Sequence, residues 1–155
     1  MPAIVLYQPE IPPNTGNAIR LCANTGFDLH LIRPLGFEID DKRLRRAGLD
    51  YHEFARLRVH ESLQHYLDAH APGRLFALST RNALRYDHVR YRSDDAFLFG
   101  PETRGLPAEV LARIPDEQRL RLPMRPDNRS LNLSNAVAVV AFEAWRQLEF
   151  TGAAG

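Results

Sequence analysis

Three polar stretches of this chain carry the side chains whose types and spacing could do chemistry. They are residues 9–20 (PEIPPNTGNAIR), 100–107 (GPETRGLP) and 120–147 (LRLPMRPDNRSLNLSNAVAVVAFEAWRQ). Together they offer amides, hydroxyls, glycines and a few charges. Gly100 and Gly105 allow close backbone approach to a ligand, and Pro101 and Pro107 hold the loop between them in shape. Such a loop suits an adenosine-like ligand held by main-chain groups, although an ordinary strand-to-helix turn has the same make-up. Other chemistries lack their residues. No GxGxxG or GxxxxGK[ST] cradle is present, nor a GxSxG nucleophile elbow. The histidines form no HExxH or similar pattern, and His60, His65 and His70 read as surface residues. No metal site is expected. Cys22 is the one cysteine, which excludes an internal disulfide and a multi-cysteine zinc site. It lies on an apolar helix face and reads as a small core residue.

The elements that must position these loops alternate in type. Residues 3–8 (AIVLYQ) are nearly all apolar and read as a strand buried on both faces. A helix starting at Asn14 or Thr15 carries Ala18, Ile19, Cys22 and Ala23 and ends at Gly26. Residues 28–32 (DLHLI) complete a βαβ unit. A short helix is predicted over residues 42–47 and a third strand over 55–60, with Leu57 and Val59 inward. Ser62 can cap a helix through Ala69. Strands follow at 74–79, 96–99 and 119–122, with residues 80–94 irregular. Pro107 fits the first turn of a helix through Arg113. Ser134 or Asn135 can cap the last helix. In it Val137, Val140, Ala141, Ala144 and Leu148 keep helical spacing, and Val139, Phe142 and Trp145 widen the apolar surface. So broad a surface needs cover on more than one side, from its own sheet or a second subunit. The fold class predicted is α/β, a mostly parallel sheet flanked by helices. Each polar stretch follows a strand, and ligands of open α/β sheets bind outside the carboxyl ends of the strands.

At 155 residues and 45% hydrophobic, the chain is expected to form one domain over residues 1–155 with a real core. No apolar run is long enough to span a membrane, and MPAIVLYQPE does not read as a signal peptide, so a cytoplasmic protein is expected. The net charge is only +1, yet all 20 basic residues but Lys42 are arginine. Arginine suits phosphate contacts and base stacking, though codon preference explains the bias equally well. Clusters in DDKRLRRAG and at Arg81, Arg85, Arg90 and Arg92 keep a nucleic-acid partner in view.

NTGNAIR, LFGPETRGLP and LPMRPDNRSLNLSNAVAVVAFEAWRQ resemble, in order, the three sequence motifs of the SPOUT, or α/β-knot, RNA 2′-O-methyltransferase family. YQPEIPPNTGNAIRLCANTGF and DDKRLRRAGLDYHEF are similar to its branch that acts on cytidine or uridine at the wobble position, 34, of tRNA. The likeness covers residues 4–148 without departure in a motif residue. It implies what periodicity cannot reveal: a C-terminal segment threaded into a deep trefoil knot that binds S-adenosylmethionine. Knots are rare exceptions among folds. It also implies a homodimer with the first and last helices in the interface. By the same resemblance Leu78, Gly100, Leu122 and Ser130 belong to the cofactor pocket. Asn14, Arg20, Glu102 and Asn132 belong to the catalytic set, which in the wider branch also includes Ser130. Arg20 would face the other subunit's cofactor.

The implied reaction is attack of a ribose 2′-hydroxyl on the sulfonium methyl, on the anticodon loop of tRNA, with leucine isoacceptors the expected substrates. Arg20 is the family's proposed base. A guanidinium with a pKa above about 12 can instead hold phosphate or stabilise the developing alkoxide, and both roles stay open. The alternatives are another tRNA or rRNA site, a non-catalytic knotted RNA-binding protein, or an α/β nucleotide-binding domain of another family. The missing glycine fingerprint disfavours the last.

Overall fold

The computed structural model describes residues 1–155 as a seven-stranded sheet in which every pairing is parallel. The strands are β1 (Ala3–Tyr7), β2 (Asp28–Ile32), β3 (Arg58–His60), β4 (Arg74–Leu78), β5 (Leu84–Arg85), β6 (Asp95–Phe99) and β7 (Arg119–Arg121). Their order across the sheet is β3-β2-β1-β6-β4-β7-β5. The helices are α1 (Pro12–Thr25), α2 (Asp41–Arg46), α3 (Tyr51–Phe54), α4 (Leu63–His70), α5 (Ala108–Leu111) and α6 (Leu133–Gln147).

The period-2 geometry of strands splits the core between the two faces of the sheet. Ile4, Leu6, Phe97 and Phe99 face α1 and α6, and Val5, Ala96 and Leu98 face Tyr66 of α4 and Val110 of α5. Both faces are covered, which is why the central strands read as continuous apolar runs. Asp95 opens β6 fully buried. Its carboxylate accepts from Arg74 at 2.8 and 2.7 Å, and from the Arg92 amide at 2.6 Å. Cys22 is buried, and burial pushes its thiol up to about 12, as an inert core residue requires. No helix is long and apolar enough to cross a membrane.

Several boundaries differ from expectation for physical reasons. Helix α1 begins at Pro12, two residues before Asn14, because Pro12 and Pro13 occupy first-turn positions where no N–H is needed. Helix α6 is capped by Asn132, not by Ser134 or Asn135. The Asn132 Oδ1 accepts from the amides of both, at 2.9 and 3.3 Å. The third strand is only Arg58–His60, since residues 55–57 form the turn that closes α3, where the Leu57 amide donates to the Phe54 carbonyl at 3.1 Å. At the start of α3 the Glu53 carboxylate accepts from the Asp50 amide at 2.8 Å, closing the first turn. Residues 80–94 are not wholly irregular: Leu84 and Arg85 pair with β7.

Two further expectations change. In α6, Val137, Val140, Ala141 and Ala144 are wholly buried within the chain, whereas Val139 and Phe142 are 38% and 45% exposed. The apolar surface is broad, but only Val139 and Phe142 are left for a partner. His65 and His70 are exposed as expected, but His60 is half-buried, and His60 and His70 do not stand alone. They gather around His30, which burial, together with His70 and His60, pushes down to about 3.

Candidate active site

Each polar stretch leaves the C-terminal end of a strand, and all three converge. Residues following β1, β6 and β7, with the end of β4, line one cavity of ≈ 490 Å³, within the roughly 300–1,000 Å³ of small-molecule sites. Of the residues expected from the sequence, Asn14, Leu78, Gly100, Glu102, Leu122, Ser130 and Asn132 all line it. Leu78 is the last residue of β4, Gly100 follows β6, and Leu122 follows β7.

The loops are tied together by side chains far apart in sequence. Glu102 Oε1 accepts from the Glu10 amide at 2.8 Å, and its Oε2 accepts from the Ile11 amide at 2.8 Å and from Asn14 Nδ2 at 3.2 Å. Ile11 caps α1 without a side-chain acceptor of its own. The Glu102 carboxylate takes that place, beside the positive end of the helix dipole. Asn14 Oδ1 in turn accepts from Asn132 Nδ2 at 2.9 Å. One polar chain thus runs from the residue-100 loop through the start of α1 to the cap of α6. A reciprocal clasp lies beside it. Glu10 Oε1 accepts from the Thr103 amide at 3.0 Å and its hydroxyl at 2.8 Å, and these bonds hold the Glu10 carboxyl below its ordinary value.

Gly100 is needed for a reason other than ligand approach. A Cβ there would fall within 3.0 Å of the Leu106 amide nitrogen and the Gly105 carbonyl carbon, so the loop folds back onto its own start. Gly105, at φ +68°, makes the left-handed turn that allows this.

Arg20 stands apart. It does not line the cavity. Its Nε donates to Glu53 Oε2 at 2.8 Å and its Nη2 to the Gly48 carbonyl at 2.7 Å. The hydrogen bond to Glu53 raises its pKa further above the ordinary value. Its side chain is 54% exposed on α1, so it is open to a second molecule.

Sequence reasoning missed three supports. Asn82 donates to the carbonyls of Ala77 and Leu120 at 3.1 and 2.8 Å, tying β4 to β7. The Glu10–Thr103 clasp was missed, as was the cavity position of Arg129 beside Ser130. No local pattern signals these pairings, whose partners lie up to 93 residues apart.

The SpoU rRNA Methylase family model matches residues 1–142. The chain belongs to the SpoU methylase family. A tRNA (cytidine(34)-2′-O)-methyltransferase of Burkholderia cenocepacia is 64% identical to this SpoU-family chain over 153 residues, covering 97% of this chain and 98% of the relative. A solved structure concerned with the 2-OH methylation of C/U34 on tRNA superposes with a TM-score of 0.85 at 51% identity, covering 96% and 97% of the two chains. An AdoMet-bound rRNA methyltransferase from Sinorhizobium meliloti shares the SpoU fold at a TM-score of 0.77 and 24% identity, over 95% of this chain and 56% of that one.

Proposed function

We propose that this chain uses S-adenosylmethionine to methylate the ribose 2′-hydroxyl at wobble position 34 of tRNA, leucine isoacceptors included. The observation that carries the reading is the convergence of all three motif loops on one cavity, in a chain that shares 64% identity with a tRNA (cytidine(34)-2′-O)-methyltransferase. We infer further that residues 1–155 work as one domain, that residues 120–147 thread a trefoil knot, and that the enzyme is a cytoplasmic homodimer. Exposed Val139 and Phe142 support the dimer. So does Arg20, which lies away from its own cavity.

The cavity suits the cofactor. Phe99, Leu106 and Leu133 supply apolar walls for a base, the loop backbones supply amides and carbonyls, and the Glu102 carboxylate is already engaged by α1. When bound, the cofactor would supply an electrophilic methyl group for the ribose 2′-oxygen, whose proton would pass to solvent. Leu78, Gly100, Leu122 and Ser130 shape the cofactor pocket. Glu102, Asn14 and Asn132 hold the pocket loops in register, so that positioning supplies much of the rate. Arg20 reaches the pocket of the second copy and stays cationic, because Glu53 stabilises its charge. It stabilises the developing alkoxide and the adjacent phosphate, and takes no proton. Arginines around residues 43–46 and 81–92 hold flanking phosphates of the anticodon loop, which makes binding salt-sensitive.

Transfer of a tritiated methyl group from S-adenosylmethionine to bulk tRNA tests the activity. Label in tRNA is the expected result. Cofactor binding without any transfer would reduce the chain to an RNA-binding protein.

A further inference from the structure

At the sheet edge remote from the β4–β7 side, three histidines meet that no local spacing announces. His30 lies in β2, His60 ends β3 and His70 ends α4. His30 Nδ1 and His60 Nε2 are 2.9 Å apart. The His70 ring centroid is 4.4 Å from that of His30 and 5.3 Å from that of His60. One ligand nitrogen from each ring lies within 4.8 Å of the others. Tyr66, buried, stacks against His70 at 5.6 Å and closes one wall. His30 is buried, His60 half-buried and His70 exposed, so the cluster has a closed floor and an open mouth.

We propose that His30, His60 and His70 form a binding site for a divalent transition-metal cation of the zinc class, with the remaining coordination position open to water. Three imidazoles and a water are an established zinc ligand set. A Zn–N distance of about 2.0–2.1 Å in tetrahedral geometry puts the ligand nitrogens about 3.3 Å apart. The His30–His60 pair opens by a few tenths of an ångström to meet this, and the exposed His70 ring swings inward. Proton balance is neutral. The one proton between His30 and His60 is replaced by the cation, and each ring then carries its proton on the far nitrogen. His70 also sits at the C-terminal turn of α4, where the helix dipole favours a cation. Arg58, the nearby like charge, has its guanidinium engaged by the carbonyls of Ala55 and Leu57. A cation here clips the three-residue edge strand β3 to β2 and α4, and it stabilises the folded chain because the unfolded one has no such site.

The test uses the whole protein, stripped with chelator and titrated with Zn²⁺ alone by calorimetry, then with Co²⁺ by visible absorption. The expected result is one equivalent per chain, a four-coordinate Co²⁺ spectrum, and a rise in Tm on adding Zn²⁺. His70→Ala alters an exposed side chain and should leave the fold intact. It should weaken Zn²⁺ more than about tenfold, since losing even an outer partner of a metal ligand costs roughly 10–100-fold, and it should cancel the Tm rise. His65→Ala, exposed on the same helix, should change neither. No saturable binding, undiminished binding in His70→Ala, or equal loss in His65→Ala would overturn the site.

Discussion

Glu102 is the test of how the pocket is held together. Both of its carboxylate oxygens are engaged by the start of α1, two bonds from main-chain amides and one from Asn14. Removing a helix cap costs about 0.5–2 kcal/mol, and losing the bond to Asn14 adds about 0.5–1.5 kcal/mol. Glu102→Ala should therefore destabilise the chain by about 2 kcal/mol. For a chain of this size that is a fall in Tm of about 4–8 °C. Glu102→Gln keeps one acceptor oxygen and turns an amide NH₂ toward a backbone donor, so its loss should be about half as large. Calorimetric melting, cofactor titration and methyl transfer should be measured on both variants. If Glu102 acts by anchoring, Tm and cofactor affinity fall together, more in Ala than in Gln, and the Gln variant keeps most of its turnover. A Glu102→Gln enzyme with unchanged Tm and cofactor affinity but collapsed turnover would refute the anchoring role and put the carboxylate in the chemistry.

Other perturbations follow from the same geometry. Arg20→Ala should lower methyl transfer by about 100-fold or more, the scale of losing a charge-stabilising donor, with calorimetric cofactor affinity nearly intact; turnover near that of wild type would remove Arg20 from the site. Phe142→Glu, on the exposed part of α6, should yield a folded monomer by sedimentation with no activity, and an active dimer in that variant would sink the interface. Gly100→Ala should cost about 1–3 kcal/mol by overpacking, because its Cβ would meet the Leu106 amide, and should weaken cofactor binding; a normal melt and affinity would show that the loop has room.

The alternation of strands and helices was legible because parallel strands covered on both faces read as plain apolar runs, as AIVLY and AFLF do. The candidate site was legible because its residues cluster in three loops at strand ends. What stayed hidden depends on long-range pairing. Leu84 and Arg85 look irregular until β7 lies beside them. Glu102 looks like a free acid until α1 is seen to lack a cap of its own. Asn132 outcompetes Ser134 and Asn135 as a cap because it is also anchored through Asn14. The histidine cluster joins residues 30 and 10 positions apart, outside the short local spacings by which zinc motifs are read from sequence. Val140 and Phe142 are equally apolar in sequence, and only the packing of α6 on α1 decides which is buried.

The site of methylation is read from the product itself. Purified tRNA is methylated in vitro, digested with nuclease, and the modified fragment is placed by mass spectrometry. The predicted result is a 2′-O-methyl ribose at nucleotide 34 of leucine tRNA, absent when Arg20→Ala replaces the enzyme. A mark found only elsewhere, in another tRNA loop or in ribosomal RNA, would contradict the wobble assignment.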